Sequence, residues 1–555
     1  MSEKLKRRTP SGSVRILRPG AAAAIALILI AAAGLQAQDA AKPPDAPVPA
    51  DKLGMIEPGE ETMQVSLKDC IVEALENNYD IRIARLGPGV EDTNIDAAKA
   101  VFDPVAKASA SRDYKKRPTV SVLDVGINLL FDPQLTAVTE EDRNYTGSIE
   151  KKFSTGTTVT ASQTLGWVSR PDNSWSAFDP YYNSEATLEV VQPLLKGAGF
   201  EYNLADIRIA RNTKTISEYD FEIKVIETVK NIELAYWNLV RARGFVEASL
   251  KSLERAKKLY ETVDVRVRAG NIYPHALDEA RAQVAIQEDA LNTARLQSRN
   301  AEDAIKQLMG MSGGDSVLAR SRLVPTDDPK FIQVSMDWKE AELAALERRP
   351  EVGSAAVGIK NANLGVKKAE NENQVQADLT ARGSLIGLGV KPNDTWNAQQ
   401  STDYYLQAVS GTVIYPIRMR AAKAGLQQAR LKVKSASYAS EQQRQAVIVE
   451  VRSALRGALQ KAKSVESARV ILESRERSRD DEMKRFEVGR STLLQVVEAQ
   501  ERLAEAERDL VGALADYRIA ISALFQSMGT LLDRNGVYLE RQTQEYTLSA
   551  AAPAR

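Results

Sequence analysis

About a hundred residues of this chain occur twice, and an internal repeat has to be recognised before any fold is assigned. Without gaps, Ala210-Arg211 falls on Ala429-Arg430, Ala235 on Ala454 and Gly270 on Gly489, a shift of 219. Ala280 then falls on Ala499, Leu291 on Leu510, Ala301 on Ala520 and Met309-Gly310 on Met528-Gly529. The unit is far longer than a solenoid repeat and has only two copies, so the pattern points to a pseudo-symmetric protomer whose halves each supply part of a ring. A second relation opens each half. "SLKDCIVEALENNYDIRIARL" matches "MDWKEAELAALERRPEVGSAA", with Ala74-Leu75-Glu76 on Ala345-Leu346-Glu347, a shift of 271.

Alanine, glutamate, arginine, lysine and leucine dominate the repeats, which is the composition of long helices. Formal net charge is zero over 555 residues, but the first 37 hold six Lys/Arg (Lys4, Lys6, Arg7, Arg8, Arg15, Arg18) against Glu3. Without them the balance is −5, which argues against nucleic-acid binding. The basic stretch precedes an apolar run, Ala21 to Ala33, and then Leu35-Gln36-Ala37. This order predicts a secretory signal peptide over 1–37, the apolar run being too short to span a bilayer. Pro43, Pro44, Pro47, Pro49 and Pro58 mark 38–64 as an extended leader. No later segment reaches 18 apolar residues, so entry into a membrane would need a β-barrel. The single cysteine, Cys70, cannot form an intramolecular disulfide and reads as a small core residue.

Residues 66 to 100 predict a helix with Leu67, Ile71, Ala74 and Leu75 on one face and Ser66 as cap. Strands follow in each half. In the second, Val375, Ala377, Leu379, Ala381 and Leu385 alternate with Gln376, Asp378, Thr380, Arg382 and Ser384, a period of two with one apolar face. A polar loop is expected from Lys391 to Thr402, before the return through "YYLQAVSGTVIYPI". The first half is longer, from about 104 to 195. It holds a hairpin with Gly156 at the turn and an additional hairpin whose place the sequence leaves open.

Long helical patterns then run over about 200–266 and 418–486, with Phe221, Val225, Val229, Ile232, Tyr236 and Leu239 forming a coiled-coil-like seam. At roughly 1.5 Å per residue such helices reach about 100 Å, the length of a spacer across a compartment. The helices turn in "RVRAGNIYPHAL" and "RFEVGRSTLLQV", where Gly270 and Gly489 suit a left-handed helix end. Pro274 and Ser491 suit the starts of the returning helices. Domain organisation follows: signal peptide 1–37, leader 38–64, first repeat 65–310, linker 311–337, second repeat 338–530 and a flexible tail 531–555.

Helix, strands, long helix, tip and return helix, given twice, resembles the TolC-type outer-membrane efflux protein family. The resemblance is carried by Ala74-Leu75-Glu76-Asn77-Asn78 and Ala345 to Pro350, by Phe102-Asp103-Pro104 and by Gln192-Pro193-Leu194-Leu195. Tyr415-Pro416, Tyr236-Trp237, the two tips and the closing "LFQSMGTLL" complete it. It implies a mainly α fold with a β-barrel part. Long antiparallel coiled-coil helices would form a periplasmic tunnel, and about four strands per protomer a 12-stranded barrel in a homotrimer. It implies further a duct through the outer membrane of a Gram-negative type envelope, in contact with its lipid. Its partners would be a periplasmic adaptor and an inner-membrane RND or ABC transporter. The strand alternation agrees independently, because a barrel wall is apolar toward lipid and polar toward the lumen. The additional hairpin departs from the family's minimal pattern and puts the strand count in question.

The family's gate lies at the tips. Its gate tyrosine matches Phe486, its two gate acids match Gln495 and Glu498, and its arginine position holds Ser491 beside Arg490. In the first tip the matching acid is Ala276, with Asp278 and Glu279 just beyond. Glu498 reads either as one of three carboxylates ringing an axis, favouring cations, or as a solvated helix-face residue. Arg490 reads as a link between protomers or an adaptor contact. Gly270, Asn271, Gly489 and Arg490 are the candidate docking positions, although the glycines equally suit a role in ending the helices. The only histidine, His275, excludes a multi-histidine metal site, and no catalytic constellation or cofactor motif is present. The competing reading is a periplasmic coiled-coil scaffold or adaptor without a channel. The apolar face at Val375 to Leu385 separates the two, since a scaffold has no use for it.

Overall fold

The computed structural model describes residues 62–118, 137–172, 177–311, 321–331 and 336–538. The segment expected as a signal peptide, almost all of the expected leader and the end of the expected tail lie outside the described residues. In chain order the elements are β1 (Thr62–Val65), α1 (Leu67–Asn77), α2 (Tyr79–Lys99), β2 (Val105–Pro118) and β3 (Ala137–Lys152). Then come β4 (Thr158–Ser169), β5 (Tyr181–Pro193), α3 (Ala205–Arg268), α4 (His275–Leu308) and β6 (Arg322–Pro325). The second repeat supplies α5 (Trp338–Arg348), α6 (Pro350–Glu372), β7 (Gln376–Gly389), α7 (Pro392–Gln400), β8 (Tyr405–Ile414), α8 (Arg420–Glu487) and α9 (Leu493–Ser527). No described helix is long and apolar enough to cross a membrane.

The 219-residue relation is visible as geometry. Gly270, Gly310, Gly489 and Gly529 all have positive φ, between 71° and 74°. Each ends a helix with the same pair of bonds. At the first tip Gly270 N donates to Val267 O (3.0 Å) and Asn271 N to Arg266 O (2.9 Å). At the second, Gly489 N donates to Phe486 O (3.0 Å) and Arg490 N to Arg485 O (2.8 Å). This double closure satisfies carbonyls that the helix end leaves open. Only glycine enters that region without steric cost.

The 271-residue relation is equally close, but the single opening helix expected over 66–100 is two. Asn78 and Arg349, at equivalent positions, are extended, with ψ of 127° and 124°. In the second repeat the cause is Pro350, which drives the residue before it out of the α region. In the first, Asn78 ends one helix and caps the next. Its Oδ1 accepts from Ile81 N (3.2 Å) and its Nδ2 donates to Leu308 O (2.7 Å).

The chain forms two compact units, and each draws on both repeats. One comprises residues up to Leu86, Tyr219–Gly353 and the chain from Gln442. Its core gathers Ile71, Ala74, Val229, Ile232, Tyr236 and Ile305 around the opening helix of the first repeat. The parallel pair β1 and β6 closes over it. Tyr236, fully buried, donates its hydroxyl to Asp327 (2.8 Å), which also accepts from Leu67 N (2.8 Å). Cys70 is a buried core residue, and burial pushes its thiol up to about 12, out of reach of thiolate chemistry. Between the long helices, Arg255 holds Glu507 in two bonds (2.9 and 2.8 Å). Asp516 is shared by Arg241 (3.1 Å) and Lys461 (2.7 Å). These bonds tie α3 and α8 to α9.

The other unit, Gly87–Glu218 with Ser354–Glu441, holds one antiparallel sheet of six strands in the order β2-β3-β4-β5-β7-β8. The expectation of about four strands is exceeded by two, and the structure places the surplus. In the second repeat the strand after the opening helices, β7, pairs directly with the strand before the long helix, β8. In the first repeat the equivalent strands, β2 and β5, are separated by the hairpin β3–β4. Gly156, at φ +95°, turns that hairpin.

Over the middle of the sheet the register sorts the side chains into two faces, while toward the end away from the β3–β4 turn Arg112, Glu141 and Arg143 share the apolar face and Leu388 and Leu406 the polar one. One face carries Thr146, Ser148, Thr164, Glu185, Thr187 and Arg382, joined across strands by bonds such as Thr146–Thr164 (3.1 Å), Thr187–Ser384 (2.9 Å) and Arg382–Glu185 (3.0 Å). The other carries Ala108, Ile149, Leu165, Leu188, Leu379 and Val409, with Leu188 54% and Val409 76% exposed. Tyr114, Trp167, Tyr182 and Tyr405 sit on that same face toward the ends away from the β3–β4 turn. Apolar residues with a belt of aromatics on one face and polar residues on the other are the two sides of a membrane barrel wall.

The segment 391–402, expected as a loop, contains α7. Its sequence, "PNDTWNAQQ", has no apolar period. Pro392 at the first turn and Asp394 beside it start the helix. Thr395 Oγ1 donates to Tyr182 O (3.3 Å), and the Gln399 and Gln163 amides bond each other at 3.2 and 3.3 Å. Gly387 makes room for it, since a Cβ there would lie 2.1 Å from Thr395 O.

Candidate functional site

The turns at the C-terminal ends of α3 and α8, with the first two turns of the returning helices α4 and α9, hold all the sequence-derived candidates. Around them Leu259, Val263, Ala276, Ala280, Phe486, Leu493, Val496 and Val497 form a separate small core. Phe486 is 3% exposed and belongs to that core, so its ring holds the two hairpins together within one protomer. Ala276, at the position matching the family's first-tip acid, is packed into the same cluster.

The polar candidates lie outside it. Asp278, Glu279, Gln495 and Glu498 are exposed. Glu498 accepts from Arg502 one turn on (3.2 Å), so the carboxylate shares its surface with a guanidinium. Gln495 completes a capping box, in which Thr492 Oγ1 accepts from Gln495 N and the Gln495 side chain accepts from Thr492 N (3.0 Å). The cap is therefore Thr492 rather than Ser491. Ser491 instead donates toward Glu482 and Gln495. Gly270, Asn271, Gly489 and Arg490 are exposed in the two turns. The space that a Cβ on either glycine would occupy is empty.

Arg266 joins the site from outside the candidate set. Its guanidinium donates to Phe486 O (2.7 Å) and Glu487 O (2.6 Å) and lies 4.7 Å from the centroid of the Phe486 ring. One cation of the first hairpin thus covers the last carbonyls of α8, where the helix dipole is negative. Its acceptors are backbone atoms, which leave no mark in a sequence. The repeat gave no signal either, since the second repeat has an arginine, Arg485, at the equivalent place. The first tip has no such cap of its own. Pro274 precedes α4 without a side-chain bond, and the exposed Tyr273 ring stacks on His275 at 5.9 Å. Among the described residues no group of acidic, histidine or cysteine side chains could hold a metal ion.

The outer membrane efflux protein family matches the chain over residues 70–311 and 343–530. The fold is similar to that of the outer-membrane channel CmeC of Campylobacter jejuni, with a TM-score of 0.60 and 16% identity over 85% of this chain and 89% of that one. It is also similar to the outer membrane protein VceC of Vibrio cholerae, with a TM-score of 0.59 and 16% identity over 83% and 96%. A third likeness is to the open state of the MtrE outer membrane channel of Neisseria gonorrhoeae, with a TM-score of 0.56 and 16% identity over 84% and 89%. No curated protein matches significantly.

Proposed function

The chain belongs to the outer membrane efflux protein family, and we propose that it is the passive exit duct of a tripartite efflux or type I secretion assembly. It is an outer-membrane efflux channel that extends into the periplasm. The observation that carries the reading is the sheet, with its polar face on one side and an exposed apolar face with an aromatic belt on the other. A coiled-coil scaffold has no need of such a face.

In this reading three copies associate, their sheets form one wall in the lipid, and their long helices line the periplasmic part. A periplasmic adaptor docks at the turns around Gly270-Asn271 and Gly489-Arg490. An inner-membrane transporter of the RND or ABC class supplies the energy. No bond chemistry is assigned to the duct. The tips restrict it, with Glu498 tempered by Arg502 and with Arg266 and Phe486 holding the hairpins in place. Because an exposed carboxylate and guanidinium one turn apart largely offset each other, packing carries more of the closure than a ring of bare charge.

Single-channel conductance of the purified chain in a planar bilayer tests this, wild type beside Glu498→Ala. Discrete cation-preferring steps that lose their preference in the variant place Glu498 in the lumen. Steps unaffected by the variant keep the duct and return Glu498 to the solvated face. A folded protein that conducts neither alone nor after Arg266→Ala and Phe486→Ala loosen the tips would overturn the duct.

A further inference from the structure

We infer that the copies join edge to edge through β2 of one and β8 of the next, and that the resulting wall has 18 strands. The inference rests on the trimeric duct proposed above and deepens it. Each copy contributes one sheet of six strands, so three copies give 18 where four-stranded protomers would give 12.

The two outer strands carry the argument. Among the described residues β2 and β8 each have one neighbour and one free side, and nearly all their residues are exposed. In hydrocarbon no water replaces the missing partner, so a barrel wall cannot keep an open edge. β8 in particular has none of the devices that blunt a natural edge. "YLQAVSGTVI" contains no charge and no proline. A bare strand of ten residues that stays soluble and monomeric is not expected; one that is always covered is.

The pairing is also geometrically closed. With every neighbour antiparallel and an even strand count, β2 and β8 run in opposite directions. The joint is then one more antiparallel pair, and the inside/outside alternation continues through it. Within the chain, Ala110 of β2 and Val409 of β8 lie on the apolar face, so both would face lipid on the two sides of the seam. The contact is head to tail between identical copies, and repetition closes it into a ring.

The added hairpin changes the dimensions. At an inter-strand spacing of about 4.8 Å and a tilt of about 40°, 12 strands make a backbone ring roughly 24 Å across and 18 strands one of roughly 36 Å. The outer-membrane part would then be no narrower than a porin of the same strand count, and the restriction of the duct would lie elsewhere.

The test is imaging of the full chain, purified from outer membranes into lipid nanodiscs, by cryo-electron microscopy, with a crosslink as independent readout. The expected result is a trimer whose wall counts 18 strands with β2 against β8. Oxidation of a variant carrying Ala110→Cys with Val409→Cys, or a pair shifted by two residues along β8, should yield a covalent trimer on denaturing gels. A trimer with a 12-strand wall, its β3–β4 hairpin folded off the ring, would overturn the inference and leave the duct intact. A particle with no closed wall would remove both. If the variant pairs crosslink only within one copy, β2 closes on its own β8 and the inter-copy seam is wrong.

Discussion

The two hairpin tips have one backbone and two chemistries. Both turn on a glycine near φ +74° with the same double closure, 219 residues apart. Beyond that they diverge. The second tip starts its return helix with a capping box and buries Phe486, where the first has the half-buried Val267. The first tip supplies Arg266, which reaches across to the carbonyls of the second. Duplication preserved what the backbone demands and released what the side chains do, so one hairpin came to clasp the other.

The largest test of that asymmetry is Phe486→Ala. Emptying a buried aromatic costs about 3–5 kcal/mol locally, whereas Val267→Ala at the equivalent place should cost well under half of that. Amide exchange at residues 480–500 should rise by orders of magnitude in the first variant and little in the second. Equal effects would mean that the tips share their packing. Arg266→Ala comes next. It leaves two carbonyls and a ring face uncovered, at about 1.5–3 kcal/mol for charge-assisted bonds, and should raise basal conductance in a planar bilayer. The equivalent Arg485→Ala should not.

Gly270→Ala and Gly489→Ala are smaller and should match. Nothing obstructs either Cβ, so the cost is that of a left-handed alanine, about 1–2 kcal/mol in each, read by thermal unfolding. A pair equal in stability but unequal in efflux by whole cells would assign adaptor docking to the weaker one.

The smallest effect concerns the breaks in the opening helices, where Asn78 and Arg349 occupy equivalent positions. Arg349 is buried and bonds Glu351 (2.7 Å) and Glu450. Burial pushes the Glu351 carboxyl up, but the Arg349 guanidinium and a backbone bond outweigh it, and the net shift is downward. A carboxyl lowered on folding adds stability above its ordinary value of 4.5 and loses it as pH falls through the folded value. Exchange protection around 345–355 should therefore weaken below about pH 4.5, while that around 74–84, held by a neutral amide, should stay level.

Much of this fold could be read from residue pattern. The repeat located the tips to the residue, because glycine at a left-handed helix end has few substitutes. The alternation from Ala377 to Leu385 located a strand with its correct apolar face. The break before Pro350 was marked by proline itself, but its counterpart at Asn78 is set by a bond to Leu308, distant in sequence. α7 escaped because polar helices have no period to find. The additional hairpin was visible as length and the turn at Gly156 as a motif, but that the two are one, lying between β2 and β5, follows from pairing, which sequence alone does not rank. At the tips the side chains were legible as positions and not as roles. Nothing in the string distinguishes an aromatic that lines a passage from Phe486, which packs a core.

The bare edge of β8 has a genetic consequence. If every ring needs three sound seams, one faulty copy spoils the whole. A proline placed in the middle of β8 would then act dominantly: with equal amounts of normal and altered chain, and random mixing, only about one ring in eight is free of the lesion. Loss-of-expression alleles at the same locus would be recessive. The strand that looks least adorned in the chain is thus the one in which a single substitution should be hardest for a cell to mask with a second gene copy.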